Sequence, residues 1–178
     1  MARYSNRHIR KLLLESDTAP NSDVKGDKLE ELVKYLFDKI SGVSFYEKNV
    51  LDGVRAHELD VVFINDKRSS DLYFLDFAII TECKNTACRL GSNEVGWFVR
   101  KLQDRGVSSG ILISLSGITG VSDGVSNAHS EVLSALNRDK IFILLLNREE
   151  IETLKTTQDL VELLQNKILK LTIQRTIF

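Results

Sequence analysis

A single proline in 178 residues, Pro20, leaves the chain without the Pro-rich linkers that separate domains, and no repeat or low-complexity tract divides it. The two cysteines, Cys83 and Cys88, are too few for a disulfide framework or a zinc set, so they read as small apolar side chains in a reducing cytoplasm. The histidines, His8, His57 and His129, are scattered without metal-ligand spacing. The longest apolar run, Ile141 to Leu146, is far too short to cross a bilayer, and no membrane partner is expected. A polar, basic N-terminus with no apolar stretch behind it carries no signal-peptide pattern. Charge of one sign is missing as well. With 24 Lys and Arg against 25 Asp and Glu the net charge is −1, so any affinity for nucleic acid must come from a local basic face.

What is present suits one soluble domain with a full core: 43% hydrophobic and 28% charged residues. Residues 1–25 form a basic amphipathic appendage, in which Arg3, Arg7, Arg10 and Lys11 surround Ile9 and Leu12 to Leu14. Its leucines are expected to pack on the domain or on a second subunit, with phosphate contact as an addition. Thr18 to Asp23 is a loop around Pro20. Residues 26–178 are the main domain. A helix from about Asp27 buries Leu29, Leu32, Val33, Leu36, Phe37 and Ile40 at i, i+3, i+4, i+7 spacing, with Glu30 at the margin of that stripe.

A strand near Val43–Tyr46, a second at Leu59–Ile64, a turn at Asn65–Asp71 and a third strand over Leu72–Lys84 make a β-meander. A helix capped at Ser92, a buried strand at Gly110–Leu115, a helix over Ser126–Asn137 and a strand at Ile141–Leu146 follow. A last helical region spans about Glu149–Lys170. The order α-β-β-β-α-β-α-β-α predicts an α/β fold: a mixed central sheet flanked by helices.

Within that frame one cluster carries chemistry. Glu82-Cys83-Lys84 closes the apolar run Phe77 to Thr81, and Asp60 begins the strand before it. Period-2 alternation puts Glu82 and Lys84 on one face and Cys83 on the other, and antiparallel pairing brings Asp60 beside Glu82. Two carboxylates about 4 Å apart repel by roughly 4 kcal/mol at an effective dielectric near 20, so they ask for a compensating cation or a shared proton. Oxygen donors with an open coordination sphere suit Mg²⁺ or Mn²⁺, and the backbone carbonyl of Cys83 offers a further ligand. Lys84 is placed to orient a water and to offset charge growing on a phosphate. Glu30, from the helix flank, is a further candidate ligand. A solvated surface strand also produces Glu-x-Lys triplets. The catalytic reading is preferred here because the triplet ends an apolar strand and has two more acids in reach.

These residues carry a resemblance. Gly26 to Glu30 opening a helix, Glu58-Leu59-Asp60 on a strand, Glu82-Cys83-Lys84-Asn85 on the next, and Gly110 to Thr119 downstream resemble the PD-(D/E)xK nuclease superfamily, the restriction-endonuclease-like fold, in its Mrr-like branch. The resemblance implies an αβββαβ core and a metal-dependent endonuclease of DNA, in restriction, phage defence or repair, and often dimeric. It implies Asp60 and Glu82 as metal-binding acids, Lys84 as the catalytic lysine and Glu30 as the auxiliary helix acid. No proline precedes Asp60, and the family's helix glutamine has no clear counterpart. Glu94 stands in the comparable turn, where favour from the helix dipole accounts for it. Trp97 and Lys101, one turn apart, are expected as a partly buried ring beside a solvated lysine, base stacking or a phosphate contact being the sharper alternative. No target-recognition module is visible, so specificity is structural or modest, or a partner supplies it. Two other functions stay open: a catalytically inactive nucleic-acid-binding or scaffold domain of the same fold, and a nuclease directed at RNA.

Overall fold

The computed structural model describes residues 1–51, 53, 57–120 and 128–177. Five strands form one sheet in the order β1-β2-β3-β4-β5. β1 (Val43–Leu51), β2 (Glu58–Asn65) and β3 (Ala78–Lys84) are an antiparallel meander, and β4 (Ser109–Ser114) and β5 (Phe142–Leu146) run parallel to β3. This is the mixed α/β sheet that the element order and the resemblance predict. β4 and β5 read as unbroken apolar runs because both their faces are covered.

The register assigns each face. Phe37 of α2 (Ser22–Phe37) stands 5.3 Å from Phe63, so Leu59, Val61 and Phe63 face α2 while Asp60, Val62 and Ile64 face away. The pairs Val61↔Thr81 and Phe63↔Ile79 extend this to β3, where Thr81 and Cys83 face α2 and Glu82 and Lys84 the opposite side. That opposite side is covered by α3 (Ser92–Gln103), whose Val95, Phe98, Val99 and Leu102 are buried. α3 comes so near β4 that a Cβ on Gly110 would lie 2.4 Å from Leu102 and 2.7 Å from Phe98. Glycine at this position lets the helix lie close against the sheet beside β3.

Several boundaries differ from the sequence reading, each for a local reason. The first core helix begins at Ser22, because the Asn21 side chain accepts the Val24 N–H at 3.0 Å and caps it. The boundary expected between residues 25 and 26 therefore falls inside a helix. α1 (Asn6–Asp17) buries Ile9, Leu12 and Leu13 in the same core as the rest of the chain. The third strand starts at Ala78, not Leu72. Asn65 is fully buried and donates to the carbonyls of Leu72 (2.9 Å) and Asp76 (3.0 Å), holding that stretch in turns while Leu72 and Leu75 still fill the core. α3 is capped at Gly91, whose N–H donates to Glu94 Oε2 at 3.0 Å, so Ser92 is its first residue and Glu94 has a terminal, structural role.

The helix after β4, α4, is described over Ala128–Ser134 and continues as a π-helical turn, Ala135–Asp139. Ser126, where the sequence pattern starts that helix, and Phe178 lie outside the described residues. The last helical region is two helices, α5 (Arg148–Thr153) and α6 (Thr157–Leu169), followed by a second π-helical turn, Lys170–Gln174. The break comes at Leu154–Thr156. Thr156 Oγ1 accepts the Asp159 N–H to start α6, and Lys155 gives its carbonyl to Tyr4 N–H at 2.8 Å. Among the described residues no helix is long and apolar enough to cross a membrane.

Candidate active site

The site forms where the ladder between β2 and β3 gives out. Backbone pairing runs from Ile64↔Ala78 to Val61↔Thr81. One step further, the Asp60 carboxylate replaces a backbone carbonyl: its Oδ2 accepts the Cys83 N–H at 2.7 Å. That bond fixes Asp60 beside the peptide joining Glu82 to Cys83. Glu82 is buried, and its two oxygens meet two lysines, Lys84 Nζ at 2.9 Å from Oε1 and Lys101 Nζ at 2.7 Å from Oε2. Asp60 of β2 thus meets Glu82 and Lys84 of β3 on one face of the sheet.

The electrostatics follow from crowding two acids into a half-buried place. Burial raises the Asp60 carboxyl to a pKa of about 6, the Glu82 carboxylate adds to the rise, and the Cys83 N–H, Lys84 and Lys101 oppose it. Burial works to lower the Lys84 pKa, yet the Glu82 carboxylate outweighs it and the ammonium titrates above its ordinary value. Lys84 is therefore a standing cation at neutral pH and not a proton acceptor. Burial pushes the Cys83 thiol well up, with Asp60 and Glu30 adding to it, so this sulfur is a neutral packing group on the α2 side.

Glu30 belongs to a different set of contacts. It lies buried on α2, on the side of the sheet that Cys83 faces, with Oε2 3.3 Å from Lys48 Nζ, while Lys48 also sits 2.6 Å from Asp27. Burial raises its pKa, and Lys48 holds the rise back. Glu30 is thus near enough to act on the Cys83 thiol, but its ion pair is with β1 and not with the lysines of Glu82. Among the described residues no three His, Cys, Asp or Glu side chains converge as a ready metal cluster.

Lys101 is the residue whose place the sequence did not give: its contact is with Glu82. The reading of a partly buried Trp97 and a solvated Lys101 is reversed: Trp97 is 62% exposed, whereas the Lys101 side chain is 14% exposed. A helical wheel carries the signal, because Trp97 lies nearly opposite the centre of the Val95–Phe98–Val99–Leu102 stripe and Lys101 lies closer to its edge. The loop after β3 is braced by α1, since Asn85 Nδ2 donates to Ser16 Oγ (2.8 Å) and Asp17 Oδ1 (3.2 Å).

Residues 22–154 match the family model described as Restriction endonuclease, Mrr_cat, a span that takes in α2, the whole sheet, α3 and α5. No curated protein and no solved structure matches the chain. Over half of the sequence is matched, and the matched part includes every side chain of the β2–β3 cluster. The chain belongs to the Mrr-type restriction endonuclease family.

Proposed function

We propose that the chain is a Mg²⁺- or Mn²⁺-dependent endonuclease that hydrolyses DNA phosphodiester bonds at the Asp60–Glu82–Lys84 cluster. The observation that carries this reading is the pairing at the end of β3: Asp60 held on the Cys83 N–H, with Lys84 at 2.9 Å from the neighbouring Glu82. The donor set fits a hard divalent cation. Two carboxylates from adjacent strands and the Cys83 carbonyl are all oxygen, and Mg²⁺ needs only one or two carboxylates beside water and phosphate. The raised Asp60 pKa agrees with the same fit, because burial raises it first and the Glu82 carboxylate adds to it, and a bound cation would offset both. Asp60, Glu82 and the Cys83 carbonyl would hold the ion. A bound divalent ion lowers the pKa of a water and polarises a phosphoryl oxygen.

The protein's own groups do the rest. The Cys83 N–H fixes the rotamer of Asp60, and Lys101 steers one oxygen of Glu82 from the helix side. Lys84, protonated throughout the neutral range, offsets charge building on the phosphate and orients the attacking water. Glu30 is assigned the auxiliary role, acting from the α2 side through its field and its Lys48 contact. Cleavage of plasmid, single-stranded DNA and RNA, each with Mg²⁺, Mn²⁺ or EDTA, tests the proposal. DNA is expected to be cut only with metal, and Lys84→Ala to abolish cutting in a folded protein. Cutting that persists in EDTA or in Lys84→Ala sinks the mechanism, and cutting of RNA alone sinks the substrate assignment.

A further inference from the structure

Trp97 is the single tryptophan of the chain, and it projects from α3 with 62% of its surface in water. An indole offers one of the largest areas any side chain can bury, so leaving it exposed forgoes a substantial stabilisation. Its position is not arbitrary. Lys101 lies four residues further along α3, one turn of about 5.4 Å, and carries its ammonium on Glu82. The imidazole of His57, three residues before Asp60, stands 5.9 Å from the indole at an interplanar angle of 57°. The two rings therefore come from the segments that supply Lys101 and Asp60.

Between and beside them opens a hollow of about 640 Å³, lined also by Asn93, Arg100, Asp104 and Glu131. Its charges are balanced locally. Arg100 Nε lies 3.2 Å from Asp104 Oδ1, and the other oxygen of Asp104 is 3.4 Å from His57 Nε2. With Glu131 present as well, the described residues that line the hollow carry no surplus cation for a phosphate. It does hold a π-face, a carboxylate acceptor and a side-chain amide, the groups that recognise a nucleobase. Lys101, whose ammonium rests on Glu82 of the cluster, stands one helical turn away on α3. A base inside a duplex has both faces covered by its neighbours and cannot reach an indole; only an unpaired one can.

We propose that Trp97 and His57 form a stacking platform for an unpaired nucleobase beside the scissile phosphate. The substrate class is then DNA with a single-stranded or extruded nucleotide at the cut. This rests on reading the Glu82–Lys84 cluster as the phosphodiester site.

The lone indole makes the test direct. Trp97 emission is titrated in EDTA with a short oligothymidylate and with a duplex of equal length. Quenching is expected to saturate at about 10-fold lower concentration for the single strand. Anisotropy of the labelled oligothymidylate should show Trp97→Ala binding about 10-fold or more weakly and Trp97→Phe recovering most of the loss, with thermal unfolding unchanged. Equal affinity for both DNAs together with an indifferent Trp97→Ala overturns the platform. Emission that shifts to the blue with protein concentration alone also overturns it, since a second copy then covers the ring. Lys84-dependent cleavage without any Trp97 effect removes the platform and leaves the nuclease standing. Trp97-dependent binding without any cleavage does the reverse.

Discussion

At the C-terminal end of the fold, Lys167 places its ammonium 2.5 Å from Glu150 Oε1; at the end of β3, Lys101 places its own 2.7 Å from Glu82 Oε2. Both lysine side chains are largely buried, at 7% and 14% exposed. The difference lies in what the second carboxylate oxygen does. Glu150 Oε2 accepts the Asn147 N–H at 3.0 Å, and the Glu150 N–H returns a bond to Asn147 Oδ1, so each oxygen has one fixed local partner. That pair is a clamp from the end of β5 through α5 to α6. Glu82 gives its second oxygen to another side-chain cation, Lys84, and stands beside Asp60, a further acid. The clamp is satisfied and closed. In the cluster at β3 the Glu82 carboxylate meets only side-chain cations, which is the signature of a place kept for work at some cost to stability.

Substitutions at the two places should therefore separate stability from activity, and the largest effect belongs to Lys84. Lys84→Ala is expected to lower DNA cleavage by about 10²- to 10³-fold, the usual loss when a transition-state donor is removed. Its stability should change by only about 1 kcal/mol, because the side chain is more than a third exposed. Lys167→Ala should do the opposite. Breaking a buried pair and stranding Glu150 costs roughly 2–4 kcal/mol, less than for a sealed pair because Glu150 is 25% exposed. Cleavage per folded molecule should stay at the wild-type level. Urea unfolding beside single-turnover cleavage measures both. The contrast breaks if Lys84→Ala unfolds as easily as Lys167→Ala, or if folded Lys167→Ala is inert.

The next effect in size sharpens the contrast through pH. The folded pKa of Asp60, about 6, lies above its ordinary value of 3.8. A carboxyl with a raised folded pKa contributes stability that is complete below pH 3.8 and is lost as pH rises through 6. Above pH 6 the ionised Asp60 therefore weakens the fold. Asp60→Asn keeps a side-chain oxygen for the Cys83 N–H and removes the ionisation. It should raise stability near pH 7.5 by about 2 kcal/mol, with the gain fading towards pH 4, while abolishing cleavage. Denaturant midpoints across that range decide it. A gain independent of pH, or a loss at pH 7.5, removes the picture of a carboxylate pair held under tension.

How much of this was legible beforehand depends on the range of the interactions involved. Asp60, Glu82 and Lys84 could be placed together from the sequence because strand alternation and antiparallel register are local rules, and the apolar runs of β4 and β5 announced themselves. The start of β3 was hidden because it depends on Asn65 reaching carbonyls 7 and 11 residues further along the chain. The split between α5 and α6 depends on Lys155 pairing with Tyr4 at the far end of the sequence. Glu30 was visible as a buried-edge acid, but its partner Lys48 sits on a strand whose polar alternation reached only Tyr46 in the sequence reading. Lys101 was read as solvated because a lysine on a helix margin ordinarily is, and only the position of β3 beneath α3 gives it a carboxylate to meet.

The smallest effect follows from that last residue. On the proposed mechanism Lys101 and an incoming divalent ion would draw on the same oxygen pair of Glu82, so the lysine would compete with metal even as it positions the carboxylate. Two unit charges about 4 Å apart interact by roughly 4 kcal/mol at an effective dielectric near 20, and side-chain rearrangement returns most of it. Lys101→Gln keeps a donor for Glu82 and removes the charge. Mn²⁺ should then bind about 10-fold tighter by calorimetry, a gain of about 1.4 kcal/mol, while cleavage slows by a smaller factor as the carboxylate loses its steering cation. Unchanged or weaker Mn²⁺ binding would mean that Glu82 needs Lys101 in order to point at the ion at all. The pair would then be a fixed support like Lys167–Glu150, and the distinction between the two buried contacts would narrow to Lys84 alone.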